Sequence, residues 1–160
     1  MDFSFGAAIA AGAVATVVMT AMLYMGMALM PRQMTMNILY MLGTMPGTMM
    51  SRNKMMAYVA GTMMHAMMGI ALAFAHAGVI KGLDLTSALI AWGVLFGFVH
   101  YLIVGMGMGM IGTMHPLMRA GQMTAPGLFV SNLPKMTVVG FLVIHLVYGL
   151  VVAALYDVWA

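Results

Sequence analysis

Residues 85–111 read LTSALIAWGVLFGFVHYLIVGMGMGMI, a run without a single Asp, Glu, Lys or Arg, in which His100 is the one ionisable side chain before Tyr101. As a helix this run rises about 40 Å, enough to cross roughly 30 Å of hydrocarbon with some tilt. Residues 5–30, 55–80 and 136–159 have the same character, and Asp157, near the end of the last, is the one charge in them. A bilayer offers backbone groups no hydrogen bonds, so such segments are stable there as helices. A barrel would require apolar and polar residues in alternation, which these runs lack. The sequence therefore predicts an all-α, integral membrane four-helix bundle, a single domain over residues 1–160.

Composition agrees. Of 160 residues, 64% are hydrophobic and 6% charged, with three Asp, no Glu and no Cys. A soluble domain carries about a quarter charged residues. Soluble enzymes, nucleic-acid binders and disulfide scaffolds are excluded on that ground. The chain opens Met1-Asp2-Phe3 without a positive n-region, and the apolar run that follows is about twice a secretory h-region, so the first span is expected to be retained. Residues 34–50 are too broken by Gly43, Pro46 and Gly47 to span. Their start, Met34 to Leu42, is expected to form a short interfacial helix with Met and Leu towards lipid. Residues 119–133 are expected to be irregular, and Asp84, Thr86 and Ser87 are expected to cap the third span.

Lys and Arg set the orientation. Arg32, Arg52 and Lys54 fall between spans one and two, Arg119 and Lys135 between spans three and four, and Lys81 alone between spans two and three. Five against one places the two longer connectors in the cytoplasm and both termini in the periplasm. The halves also echo one another. Lys54 precedes His65 by eleven residues and Lys135 precedes His145 by ten; each His is followed by Gly four residues on (Gly69, Gly149) and by His76 or Tyr156 eleven residues on. That pattern predicts two pseudo-repeated helical hairpins. Gly93, Gly97, Gly105 and Gly109 give span three two GxxxG pairs, suited to close helix approach within this chain or between chains.

The run Ala11-Gly12-Ala13-Val14-Ala15-Thr16-Val17-Val18-Met19-Thr20, the His65-x-x-x-Gly69 in span two and the ending Pro134-Lys135…His145-Leu-Val-Tyr-Gly149 resemble a family of small bacterial four-span membrane proteins of unknown function. The resemblance implies this topology and a place in the bacterial cytoplasmic (inner) membrane. It carries over no activity and no functional residues.

Methionine is sorted along the chain. Apart from Met1, the other 24 Met all fall in the C-terminal halves of spans one and three, the N-terminal part of span two, the start of span four, or the connectors joining them. In an up–down bundle these segments share one membrane face. Thioethers are flexible and polarizable, suited to an adaptable interaction surface, and they also bind Cu(I) without losing a proton. Met106, Met110, Met114 and Met118 recur every four residues, Met64 and Met68 flank His65, and His115 stands at the mouth: together they are a candidate copper(I) set. His65, His145 and His100 lie at mid-depth, where an ionisable group is costly and marks a functional site. If the halves are symmetric, His65 and His145 suit bis-His ligation of haem b, with Gly69 and Gly149 making room for the porphyrin.

No Ser–His–Asp, Cys–His or paired-carboxylate set is present for hydrolysis, so a non-enzymatic protein is expected. The leading expectation is an accessory or assembly subunit of a larger membrane complex, docking through small-residue and Met-rich faces onto partner subunits or a second copy. A Cu(I)-binding or copper-delivery protein stands second, and a haem b protein third.

Overall fold

The computed structural model describes residues 3–160 and contains helices and no strands among them. The elements are α1 (Phe5–Leu29), α2 (Ile38–Thr44), α3 (Thr48–Ser51), α4 (Lys54–Gly82), α5 (Leu89–Met114), α6 (Pro116–Arg119), a 3-10 turn (Leu128–Val130) and α7 (Lys135–Trp159). Four of them, α1, α4, α5 and α7, are 25 to 29 residues long and apolar enough to cross a membrane.

Three of the four spans begin and end within two residues of expectation, while the third is displaced by three or four. Its start moves because Asp84 closes the preceding helix. The Leu85 N–H donates to the Ile80 carbonyl (2.9 Å) and the Asp84 N–H to that of Lys81 (3.1 Å), the paired bonds of a Schellman motif. Asp84 occupies the left-handed position (φ 50°), and Leu85 packs against the core cluster that holds Ile80, the apolar contact this motif carries. Asp84 thus ends α4 instead of capping α5, and Thr86 and Ser87 lie in the connector ahead of Leu89. The end of α5 moves out to Met114, where Pro116 holds the preceding His115 in extended backbone (φ −77°, ψ 124°).

The chain forms two compact units, each taking part of all four long helices: unit 1 is residues 1–22, 66–101 and 142–160, and unit 2 is residues 23–65 and 102–141. The division does not separate one hairpin from the other, and the matched positions of the two halves have different surroundings: His76 lies against the His100 imidazole, whereas the Tyr156 hydroxyl accepts from the Ser4 N–H.

Unit 1 is a helix-on-helix bundle. Its apolar core is built on Ala7, Ala8, Ala11, Ala77, Ile80, Ala153 and Tyr156, ringed by Phe3, Phe74, Phe96 and Leu155. Small residues bring backbones together. A methyl group added at Gly12 would meet Ala73 at 2.7 Å, one at Gly69 would overlap Thr16, and one at Gly97 would meet the His145 carbonyl at 2.5 Å. Gly93 and Gly149 face one another across α5 and α7.

Unit 2 is held by its connectors. Met34 fills the space left by both Gly26 on α1 and Gly140 on α7. The α2 backbone lies on α4 where Gly43 meets Ala57 and Gly61 meets Leu39. Asn37 caps α2, accepting from the Tyr40 N–H (3.0 Å) and the Tyr24 hydroxyl (2.6 Å) and donating to the Tyr58 hydroxyl (2.7 Å). Residues 34–42 therefore do not turn Met and Leu to lipid: Met34, Met36, Ile38, Met41 and Leu42 are buried in the protein, because the glycines let α2 approach within backbone contact. The second connector is irregular, as expected, and wedges Phe129, Leu128 and Ala125 against Gly105, Gly109 and Gly112 of α5.

Candidate functional site

Two groups of side chains stand out, one in each unit. In unit 1, His76 from α4, His100 from α5 and His145 and Tyr148 from α7 are all buried. The His100 and His145 ring centres are 4.8 Å apart with the rings edge-on; those of His76 and His100 are 5.9 Å apart, and the Tyr148 ring centre is 5.6 Å from that of His76 and 5.1 Å from that of His100. The Tyr148 hydroxyl donates to the Gly69 carbonyl, and Tyr101 and Phe96 close the cluster. The Nδ1 of His76 is buried with no hydrogen-bond partner. Among the described residues no group of three or more His, Cys, Asp or Glu is placed to hold a metal ion.

Of the three mid-depth histidines, the structure brings His100 and His145 together, while His65 is half-buried and belongs to unit 2. His76 is the member that sequence reasoning missed. Counted from Lys54 it lies at the far end of span two, but counted back from Gly82 it is six residues in, and antiparallel helices make the second count the relevant one. The space expected for a porphyrin is filled: Gly149 lies on the α5 backbone at Gly93 and Gly97, and Gly69 on the Thr16 side chain. These residues do not fit a haem in this packing.

In unit 2, His115 is fully buried and is no ligand at a mouth. It is the N-cap of α6: Nδ1 accepts from the Leu117 N–H (3.2 Å), so Nε2 carries the proton and donates to the Met41 carbonyl (2.9 Å), with the Thr44 hydroxyl 3.2 Å away. Both ring nitrogens are engaged with the protein. The proposed sulfur set is divided as well. Met106, Met110 and Met114 keep their common face and turn it outward, being 54%, 64% and 63% exposed. Met118 leaves the ladder at Pro116 and is buried on α6. Met64 is half-buried in unit 2, and Met68 is exposed and belongs to unit 1.

Of the 25 Met, 20 fall in the segments of unit 2, while Met19, Met22, Met67 and Met68 fall in those of unit 1. The same bias shows on the surface. Among the described residues, nine of the fifteen exposed large apolar side chains of unit 2 are Met (Met25, Met49, Met55, Met56, Met63, Met106, Met110, Met114, Met136), against two of sixteen in unit 1 (Met67, Met68). The small-residue pairs, by contrast, are used up internally: Gly93 and Gly97 on α7, Gly105 and Gly109 on the second connector.

No family model, no curated protein and no solved structure matches this chain. The resemblance to small four-span proteins thus stands on its short motifs alone.

Proposed function

We propose that this chain is a non-enzymatic integral membrane protein, an accessory or assembly subunit that docks onto a larger membrane complex through the Met-rich outer surface of unit 2. One observation supports this above the rest: most of the exposed large apolar positions of unit 2 are thioethers, and most of those of unit 1 are branched or aromatic side chains. Lipid tails solvate Leu, Val and Phe as well as they solvate Met, so contact with lipid does not call for the difference. An interface that must adapt to another protein does, because Met has three rotatable bonds and a polarizable sulfur. With the glycine stripes consumed inside the chain, docking rests on the Met surface rather than on small residues.

The proposed setting is the bacterial cytoplasmic membrane with both termini periplasmic, supported by the five Lys and Arg of the two longer connectors. Purification in mild detergent is expected to retain a stoichiometric second polypeptide or a second copy. Replacing Met55, Met56 and Met63 by Leu should release it, whereas Val17→Leu with Leu95→Val in unit 1 should not. A pure, stable monomer from native membranes overturns the reading.

A further inference from the structure

We infer that the outward face of the last turns of α5 is a soft-cation site, taking Cu(I) between the thioethers of Met106 and Met110 or of Met110 and Met114. This goes beyond the docking reading and needs no partner protein. The three side chains are in phase and exposed, while Met108, out of phase on the same helix, is buried. Residues four apart on a helix have Cβ atoms about 5–6 Å apart, and the flexible Met side chain lets two such sulfurs close on one ion. Met106 and Met114 are about 12 Å apart along the axis, too far to share an ion. The ladder is therefore two overlapping stations with Met110 common to both, and one ion occupies either.

The surroundings select the ion. Residues 23–65 and 102–141 contain no Asp, Glu or Cys, so unit 2 offers no carboxylate for Mg(II), Ca(II) or Mn(II). His115 lies next to Met114 in sequence, yet both of its nitrogens are engaged, which leaves neutral sulfur as the donor. Thioether sulfur favours a soft monovalent ion and needs no proton released. Met114 is the last residue of α5 and Met110 lies one turn inside, so the lower station sits at the helix C-terminus, where the unsatisfied carbonyls carry partial negative charge and favour a cation. Gly107, on the turn between Met106 and Met110, has open space beside it, which leaves room for the Met side chains to rearrange around an ion.

The shared residue gives the test. The purified chain in detergent is titrated anaerobically with Cu(I) against a chromophoric chelator, and the ions taken up per chain are counted. A lone thioether binds about a hundredfold more weakly than a chelating pair, enough to drop out of such a competition. Met110→Leu should therefore take up one ion fewer than the wild type, while Met106→Leu, Met114→Leu and Met108→Leu match it. X-ray absorption of the wild type should show sulfur neighbours, and a Zn(II) titration should leave the α5 site empty. Helicity by circular dichroism checks that each Leu variant is folded. A wild type that takes no Cu(I), a Met110→Leu variant that takes as much as the wild type, or loss of the ion in Met106→Leu and Met114→Leu alike overturns the inference.

Discussion

His115 satisfies three groups at once: the N–H of Leu117, the carbonyl of Met41 and, at longer range, the hydroxyl of Thr44. An N-cap is worth about 1 kcal/mol and a buried acceptor left without its donor costs about 1–3 kcal/mol. His115→Ala is thus expected to lower stability in detergent by about 2–4 kcal/mol, and His115→Asn, which keeps a capping oxygen, by less; denaturant titration of purified protein measures both. Asp84 sits in the left-handed region at the end of α4, a conformation glycine adopts without strain. Asp84→Gly should be neutral or stabilising by up to about 1 kcal/mol, whereas Asp84→Val should destabilise by more than that in the same titration. His76 is the opposite case, a buried imidazole with an unpartnered nitrogen. If packing were its whole role, His76→Leu would raise stability by about 1 kcal/mol. A variant that is more stable yet fails to support its complex in cells would assign the histidine cluster to function.

At the scale of elements, glycines separate into those against which something packs and those that face open space. Gly69 and Gly149 touch Thr16 and the α5 backbone, whereas Gly6, Gly78 and Gly107 have nothing beside them. Gly69→Ala or Gly149→Ala must push helices apart and should cost about 2–3 kcal/mol, as overpacking does, while Gly78→Ala should gain up to about 1 kcal/mol from helix propensity; thermal unfolding in one detergent compares them. The same glycines mark what was legible beforehand. Long uncharged runs reveal spans because the bilayer imposes one length and one backbone geometry, so all four helices were readable in the sequence. The fate of a small residue was not: Gly93 and Gly105 sit in identical GxxxG contexts, yet one receives a helix and the other Phe129 from a connector. Local pattern says that backbone approach is allowed, and tertiary packing decides what approaches. His76 was obscured for the same reason, since its neighbours come from helices remote in sequence, and Met118 because a single proline two residues earlier redirects the chain.

For the whole molecule, the sorting of thioethers has a consequence that does not depend on the partner or the ion. Composition bias alone would spread Met over both units, but unit 2 holds 20 of the 25. Met→Leu changes on outward positions conserve volume and leave the apolar surface intact, so they should cost less than about 1.5 kcal/mol in total fold stability if those positions serve only lipid. Two multiple variants separate the readings: Met55, Met56, Met63, Met106, Met110 and Met114 all to Leu, and, as the reciprocal, Val17, Leu95 and Leu150 all to Met. Both should insert, span and unfold like the wild type. The first should lose both association in mild detergent and uptake of Cu(I), and the second should keep both. Loss of association with Cu(I) uptake retained would separate the docking face from the α5 ladder. Full retention of both properties by the first variant would reduce the segregation to a packing preference, because leucine would then serve wherever methionine stands on the outer surface of unit 2.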